Sequence, residues 1–534
     1  MATIVKRRLG VAGKSTVAGA MIALVLCFSA GGASAGQAPA TVGLDSGDVA
    51  GTAVGDISIY KGVPYAAPPL GDLRWMPPQP VARWNGIRRT QQFGKSCEQP
   101  PDPEYASLAN QLGEDCLTAN VWAPQIKGGR PLPVMVWIHG GGFAEGSSRL
   151  PIYDGAALAG HGVVVVTFNY RLGRFGFLAH PALARGTRTV PIGNYGLMDQ
   201  IFLLRWVQRN IGAFGGDPAN VTVFGQSAGG MSVAYLLASP AAHGLFGKAI
   251  IESGANRPDT HSLAQARTIG LAFARAVGIS GEGPAAASAL RKLSAKQVLE
   301  APAQNPSDYL VDSPTIDGKI LVEDIPEAFG RGHQANVPLL IGYNTNEGSL
   351  ASGPDRTKEV KAYLSTLGAN RNAAIALYDP EHRRDVIDVG TEIFRDRTFG
   401  EPARFLAREM AKTGQAVWLY QFGYVPTALR SQKIGADHGG EIPFVFDNLR
   451  LLPFAKSAQD MSVAHALIDY WTNFARTGNP NGPSAQIWLQ HNRRSDAALI
   501  IDASGFHSIR GLDHARFDFW ESRTPRSTAT RAVP

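Results

Sequence analysis

One ten-residue stretch, Val221-Thr-Val-Phe-Gly-Gln-Ser-Ala-Gly-Gly230, limits what this chain can fold into more than any other. Its β-branched and aromatic start predicts a buried strand. The strand breaks at Gly225, and the apolar run Met231 to Leu237 predicts a helix stopped by Pro240. Between them, Gly225-Gln-Ser-Ala-Gly229 matches G-x-S-x-G, a strained strand-to-helix turn that exposes a serine hydroxyl as a nucleophile. Side chains two residues either side of that serine would collide, and glycine removes the collision. The helix start also offers unpaired N–H groups to any negative charge that develops beside the hydroxyl.

The pattern alone does not suffice. Gly32-Ala-Ser-Ala-Gly36 matches it too, with no strand before it and no amphipathic helix after it. Sixty glycines in 534 residues make such a coincidence unsurprising. Context selects Ser227.

The first 35 residues differ in kind from the rest. Lys6, Arg7, Arg8 and Lys14 give a positive start, Val17 to Ala30 is apolar, and Ala33-Ser-Ala35 fits a small-residue cleavage site. Residues 1–35 therefore read as a secretory signal peptide, cut near Ala35, and not as a permanent membrane anchor. Leu26 before Cys27 argues against lipid attachment, and Arg7-Arg8 raises a twin-arginine route without pressing it. The predicted location is secreted or periplasmic. The leader holds four of the 51 basic residues and none of the 44 acidic ones. The mature chain thus carries 47 against 44, a net of +3, too little to predict a nucleic-acid partner. Cys97 and Cys116 remain, and in an oxidising compartment they read as a disulfide, the alternative being two unpaired thiols.

Residues 36–534 read as one large α/β domain. Gly36 to Ala50 is small and polar, expected as a frayed lead-in, and Thr52 to Tyr60 as an early strand or hairpin. Tyr60 to Trp75, dense in proline, glycine and aromatics, is expected to be irregular. Continuous apolar runs at 133–138, 163–168, 221–224, 247–252, 338–343 and 416–422 predict parallel strands buried on both faces. Helical patterns at 197–211 and 463–474 alternate with them, the second closed by a turn at 477–483. Residues 258–330 and 351–415 are expected as helical excursions over the carboxyl edge of the sheet, where ligands bind.

A serine hydroxyl needs a base. Of 12 histidines, His438 lies in the glycine-rich stretch Lys433 to Glu441 after a strand, with room to point back. His465 falls within a helical pattern, and His491, His507 and His514 lie in a polar tail. The base needs a carboxylate to fix its tautomer. Asp437 is too near in sequence, whereas Glu347 follows a strand with Gly348 freeing the turn; Asp312, Asp317 and Asp324 are the alternatives. The order Ser227…Glu347…His438 fits this type of turn. His139-Gly-Gly-Gly-Phe143 follows the strand at 133–138, and Gly141, Gly142 and the N–H of Ala228 are the expected oxyanion donors. No cofactor is expected, and no cluster has metal-ligand spacing.

These motifs do not stand alone. Lys61-Gly-Val-Pro-Tyr-Ala66, Pro69 to Trp75, Glu114 to Leu117, Trp137 to Phe143, Asn169 to Gly173, Gly193 to Gln200, Phe214 to Pro218, Gly225 to Gly230 and Asn346 to Gly348 occur in order. With the His438 loop, they make the chain resemble the type-B carboxylesterase/cholinesterase family of α/β-hydrolases over nearly all of residues 45–520. The resemblance implies a mostly parallel central sheet flanked by helices, a secreted hydrolase of small-molecule esters, a Ser227–Glu347–His438 triad and a Cys97–Cys116 disulfide. Two departures matter: Gln226 stands where many relatives have glutamate, and Tyr105 is the only aromatic between the two cysteines. Both argue against a choline ester, because no anion or tryptophan is there to attract a quaternary ammonium. A lipase working at interfaces and a non-catalytic binding or adhesion protein on the same scaffold are the competing classes. Nothing in the sequence sets the oligomeric state.

Overall fold

A computed structural model describes residues 41–524 apart from 102, 126–128, 185–190, 256, 258–259, 303–312, 352–355 and 484–485. The leader read over residues 1–35, and Asp312, lie outside the described residues. Near the start, β1 (Thr41–Leu44) and β2 (Gly47–Ala50) form a hairpin, and β3 (Thr52–Val54) and β4 (Ile57–Pro64) form a second. β5 (Ile87–Arg89) pairs parallel with β2. Residues 41–50 are thus paired, not frayed. Val42 and Val49 supply the buried side of short strands whose polar composition conceals them.

The main sheet is built in chain order from β3, β4, β6 (Thr118–Pro124), β7 (Leu132–Ile138), β8 (Val164–Phe168), β9 (Gly216–Gln226) and β10 (Lys248–Glu252). After a two-stranded pairing of β11 (His261–Ser262) with β12 (Thr315–Ile316), it is completed by β13 (Leu339–Asn344), β14 (Val417–Phe422), β15 (Ala497–Asp502) and β16 (Gly505–Arg510). The spatial order is 16-15-14-13-10-9-7-8-6-4-3. Every pairing from β15 through β8 is parallel, and the outer strands at both edges are antiparallel.

Alternation along the strands feeds two cores. Val134, Val136, Val223, Ile251 and Ile341 face one, shared with helices Tyr195–Asn210, Ala228–Ala238 and Glu401–Lys412. Met135, Trp137, Phe224, Ile250 and Trp418 face the other, covered by helix Ala458–Thr477. Side chains pointing alternately to two dry faces explain why these strands read as unbroken apolar runs.

Other expectations shift at their edges. β4 continues to Pro64, past a register shift between Tyr60 and Val63, so the irregular segment begins later than its composition suggests. The helix after Ser227 starts at Ala228, three residues before its apolar run. The tail that reads as polar contains the β15–β16 hairpin, and His491 within it is fully buried. Among the described residues, no helix is long and apolar enough to cross a membrane.

Candidate active site

β9 ends at Gln226, and Ser227 caps the following helix with φ 57° and ψ −126°. A non-glycine residue there is strained, and the surroundings enforce it. The Ser227 N–H donates to the Glu252 carbonyl at 2.9 Å, and the Ser227 carbonyl accepts from the Met231 N–H at 2.8 Å. A Cβ on Gly229 would lie 1.9 Å from the Ile138 carbonyl oxygen, and one on Gly225 would lie 2.6 Å from the same oxygen. Both glycines are required because neighbouring backbone fills the space a side chain needs.

Glu347 and His438 meet. Glu347 follows β13 and is fully buried. Its Oε1 accepts the Asn344 N–H at 2.7 Å, and its Oε2 lies 2.5 Å from His438 Nδ1. A carboxylate only accepts, so Nδ1 carries the proton and the neutral ring presents its lone pair at Nε2. The Ser349 hydroxyl accepts the His438 N–H at 2.8 Å, and the Phe399 ring packs 5.4 Å from the imidazole. Phe399 projects from a single π-helical turn, Asp396–Gly400, an interruption common at functional sites.

The other carboxylates considered lie elsewhere. Asp437 accepts from Asn346 and pairs with Lys433. Asp317 accepts three backbone N–H groups of its own turn, and Asp324 caps helix Ile325–Arg331.

Gly140 lies against Ser227: a Cβ on it would be 3.2 Å from the Ser227 Cβ and 2.8 Å from the Gln226 carbonyl oxygen. Gly141 and Gly142 take φ values of 105° and 62°, conformations open to glycine. The Gly141 carbonyl accepts from the N–H groups of Ala144 and Glu145, which turns the loop back on itself. His139 anchors its start. Its ring stacks on Tyr170, its Nδ1 is 2.9 Å from the Gly140 carbonyl oxygen, and the Tyr170 hydroxyl donates to the His139 carbonyl. Burial lowers the His139 pKa to about 4, so this imidazole stays neutral. Ala228 opens its helix, where N–H groups have no partner within the helix.

Sequence reasoning missed a group of buried polar residues behind the site. Asn344 donates from Nδ2 to the Glu441 carboxylate and to the Asp437 carbonyl, the latter at 2.7 Å. Glu252, which holds the Ser227 N–H through its main chain, accepts from the Trp471 indole at 2.7 Å through its side chain. Burial raises the Glu441 pKa to about 7 and pushes Glu252 well above the carboxylate range, with Glu441 adding to the Glu252 shift. Only the position of Glu441, three residues after His438, could have hinted at this.

The model of the carboxylesterase family matches residues 38–520 of this chain. The chain belongs to the carboxylesterase family. Membership makes it a carboxylic-ester hydrolase with small-molecule esters as its substrate class. Among curated relatives, fumonisin B1 esterase of Sphingopyxis macrogoltabida is 38% identical over 456 residues, covering 83% of each chain. Para-nitrobenzyl esterase of Bacillus subtilis (strain 168) is 39% identical over 477 residues, covering 86% of this chain and 94% of its own. Carboxylesterase 1D of Mus musculus is 32% identical over 524 residues, covering 89% and 90%. Two solved structures of PNB esterase superpose with TM-scores of 0.76 and 0.78, at 35% and 34% identity. Each covers at least 90% of this chain and 99% of its own. The fold of this carboxylesterase is accordingly the α/β-hydrolase fold.

Proposed function

We propose that the protein cleaves carboxylic esters through an acyl-enzyme formed on Ser227. His438 Nε2 takes the Ser227 proton as Oγ bonds to the ester carbonyl carbon. The N–H groups of Gly141, Gly142 and Ala228 receive the oxyanion. The intermediate collapses, and the alcohol leaves with the proton from His438. Water then repeats the sequence on the acyl group, releasing the acid and restoring Ser227. Glu347 holds the ring in the tautomer this needs. The observation that carries the reading is the 2.5 Å contact between Glu347 Oε2 and His438 Nδ1, in a ring whose Nε2 lies 3.2 Å from the side chain of Gln226, the neighbour of Ser227 in the chain.

The test is covalent labelling by a fluorophosphonate. Ser227 is the expected site, labelling and turnover of p-nitrophenyl esters both vanish in S227A, and the variant stays folded. Full turnover in S227A sinks the reading. A choline ester is expected to be a poor substrate, since Gln226 brings no negative charge to the site. Rates that climb only above the solubility limit of long-chain esters identify a lipase instead.

We also read residues 1–35 as a removable secretory signal and residues 36–534 as one catalytic domain. The positive start, apolar run and Ala33-Ser-Ala35 support this. The N-terminal sequence of the exported protein tests it, with a start near Gly36 expected.

A further inference from the structure

Gln226 sits between the two loops that approach Ser227. Its side chain is 5% exposed, and its Nε2 lies 3.2 Å from His438 Nε2. A Cβ on Gly439 would come within 3.5 Å of that same amide nitrogen, and a Cβ on Gly140 within 3.2 Å of the amide oxygen. Two glycines thus leave room for this one amide, which reaches from the glycine loop after β7 to the imidazole.

The structure sets the NH2 end of the amide against Nε2. With Nδ1–H directed at Glu347, the neutral ring presents a lone pair there, and the NH2 end donates to it. A hydrogen bond to the uncharged form of a base favours that form. Once Nε2 is protonated, the same NH2 group opposes an N–H.

We propose that Gln226 is a positioning residue whose NH2 group caps the His438 Nε2 lone pair in the resting site, biases the ring towards its unprotonated form, and gives way as the Ser227 Oγ–H takes its place at that nitrogen. The inference rests on the ester-hydrolase reading above. A carboxylate of the same shape would do the reverse.

Among the described residues, the carboxylate in contact with His438 pulls towards the imidazolium. Glu347 faces Nδ1, whereas Glu441, three residues along the same loop, keeps its proton in mildly acidic solution and adds little charge there. Asp437 adjoins the ring in sequence but is engaged by Lys433 and Asn346, and Glu252 lies beyond Glu441. Phe399 is uncharged, and His139, behind the glycine loop, stays neutral. Gln226 therefore opposes the pull of Glu347 and favours the unprotonated base in mildly acidic solution.

Two variants test this, Q226E, which preserves size, and Q226L, which removes the hydrogen bond. The His438 imidazole is titrated by NMR in the S227A background. The acid limb of kcat/KM is measured with serine intact, using an uncharged p-nitrophenyl ester. Q226E is expected to raise both midpoints by about one pH unit or more, the usual effect of a nearby opposite charge. Q226L is expected to raise them by roughly half a unit to one unit, the worth of one neutral hydrogen bond. Unmoved midpoints in both variants, or a fall in Q226L, overturn the proposal. Fluorophosphonate labelling of Ser227 separates the two levels. If wild type is labelled while the midpoints stay put, only the role of Gln226 fails. If wild type is not labelled, the catalytic reading fails first.

Discussion

Glu347 and His438, 91 residues apart in the chain, are joined at 2.5 Å, while the second oxygen of the carboxylate is held by the Asn344 N–H. Both oxygens are engaged, so the carboxylate cannot swing away from the ring. Glu347→Gln keeps the shape but turns an NH2 group towards Nδ1, which favours the wrong tautomer. The expected result is a fall in kcat of about 10³–10⁴ with p-nitrophenyl acetate, by analogy with triads on other folds. Circular dichroism should be unchanged. A loss under tenfold would mean that the contact does not orient the base.

Gly229 and Gly212 make a matched pair for testing the sterics of the turn. A Cβ on Gly229 meets backbone at 1.9 Å, whereas a Cβ on Gly212 meets nothing within 4 Å. Gly229→Ala is expected to destabilise by about 1–3 kcal/mol and to abolish labelling of Ser227. Gly212→Ala should stay within about 0.5 kcal/mol of wild type. Urea unfolding and fluorophosphonate labelling read the two effects, and equal stability of the two variants would contradict the packing described.

Stability should depend on pH through the buried carboxyls. Burial raises Glu441 from 4.5 to about 7, so the folded chain keeps a proton that the unfolded chain has already released. Its contribution is complete below pH 4.5 and is lost as pH rises through 7. Glu252 is shifted in the same direction. Glu441→Gln imitates the protonated group and still offers an oxygen to Asn344. Between pH 5 and pH 8, wild type should lose on the order of 1–3 kcal/mol more than this variant. Parallel stability curves would show that Glu441 does not hold a proton in the folded state.

Cys97 and Cys116 form a disulfide across 19 positions. Closing a loop of that length limits the unfolded chain and contributes roughly 3 kcal/mol. The double variant Cys97→Ser, Cys116→Ser should unfold at lower urea, and reductant should move wild type to the same midpoint. A midpoint indifferent to reductant would remove the disulfide from the account of stability.

Much of the geometry of the candidate site was legible because sterics and chemistry restrict its residues tightly. Glycines at 225 and 229 are forced by the Ile138 backbone, and Glu347 and His438 stand in glycine-freed turns after strands. The strands that position them declared themselves as apolar runs because both faces are buried. Short strands with exposed positions did not: β1 and β2 read as loose polar chain, and β16 as part of a polar tail that also hid the buried strand β15. The carboxylates at 252 and 441 look in sequence like ordinary surface charges. Only the three-dimensional packing of Trp471 and Asn344 against them reveals otherwise. Gln226 stood out as a departure from its relatives. Its reach to His438 depends on how closely two glycine loops approach, which one-dimensional spacing does not encode.

In space β13 lies between β10 and β14, although long stretches of chain separate the three strands in sequence. Closing such large loops is slow, so this region should be among the last to zip up during refolding. A nascent polypeptide extending only to residue 400 would already contain Ser227 and Glu347, yet would lack β14 and the imidazole beyond it. Recovery of enzymatic turnover after denaturation should therefore lag behind the return of secondary structure, and makes a stringent clock for completed assembly.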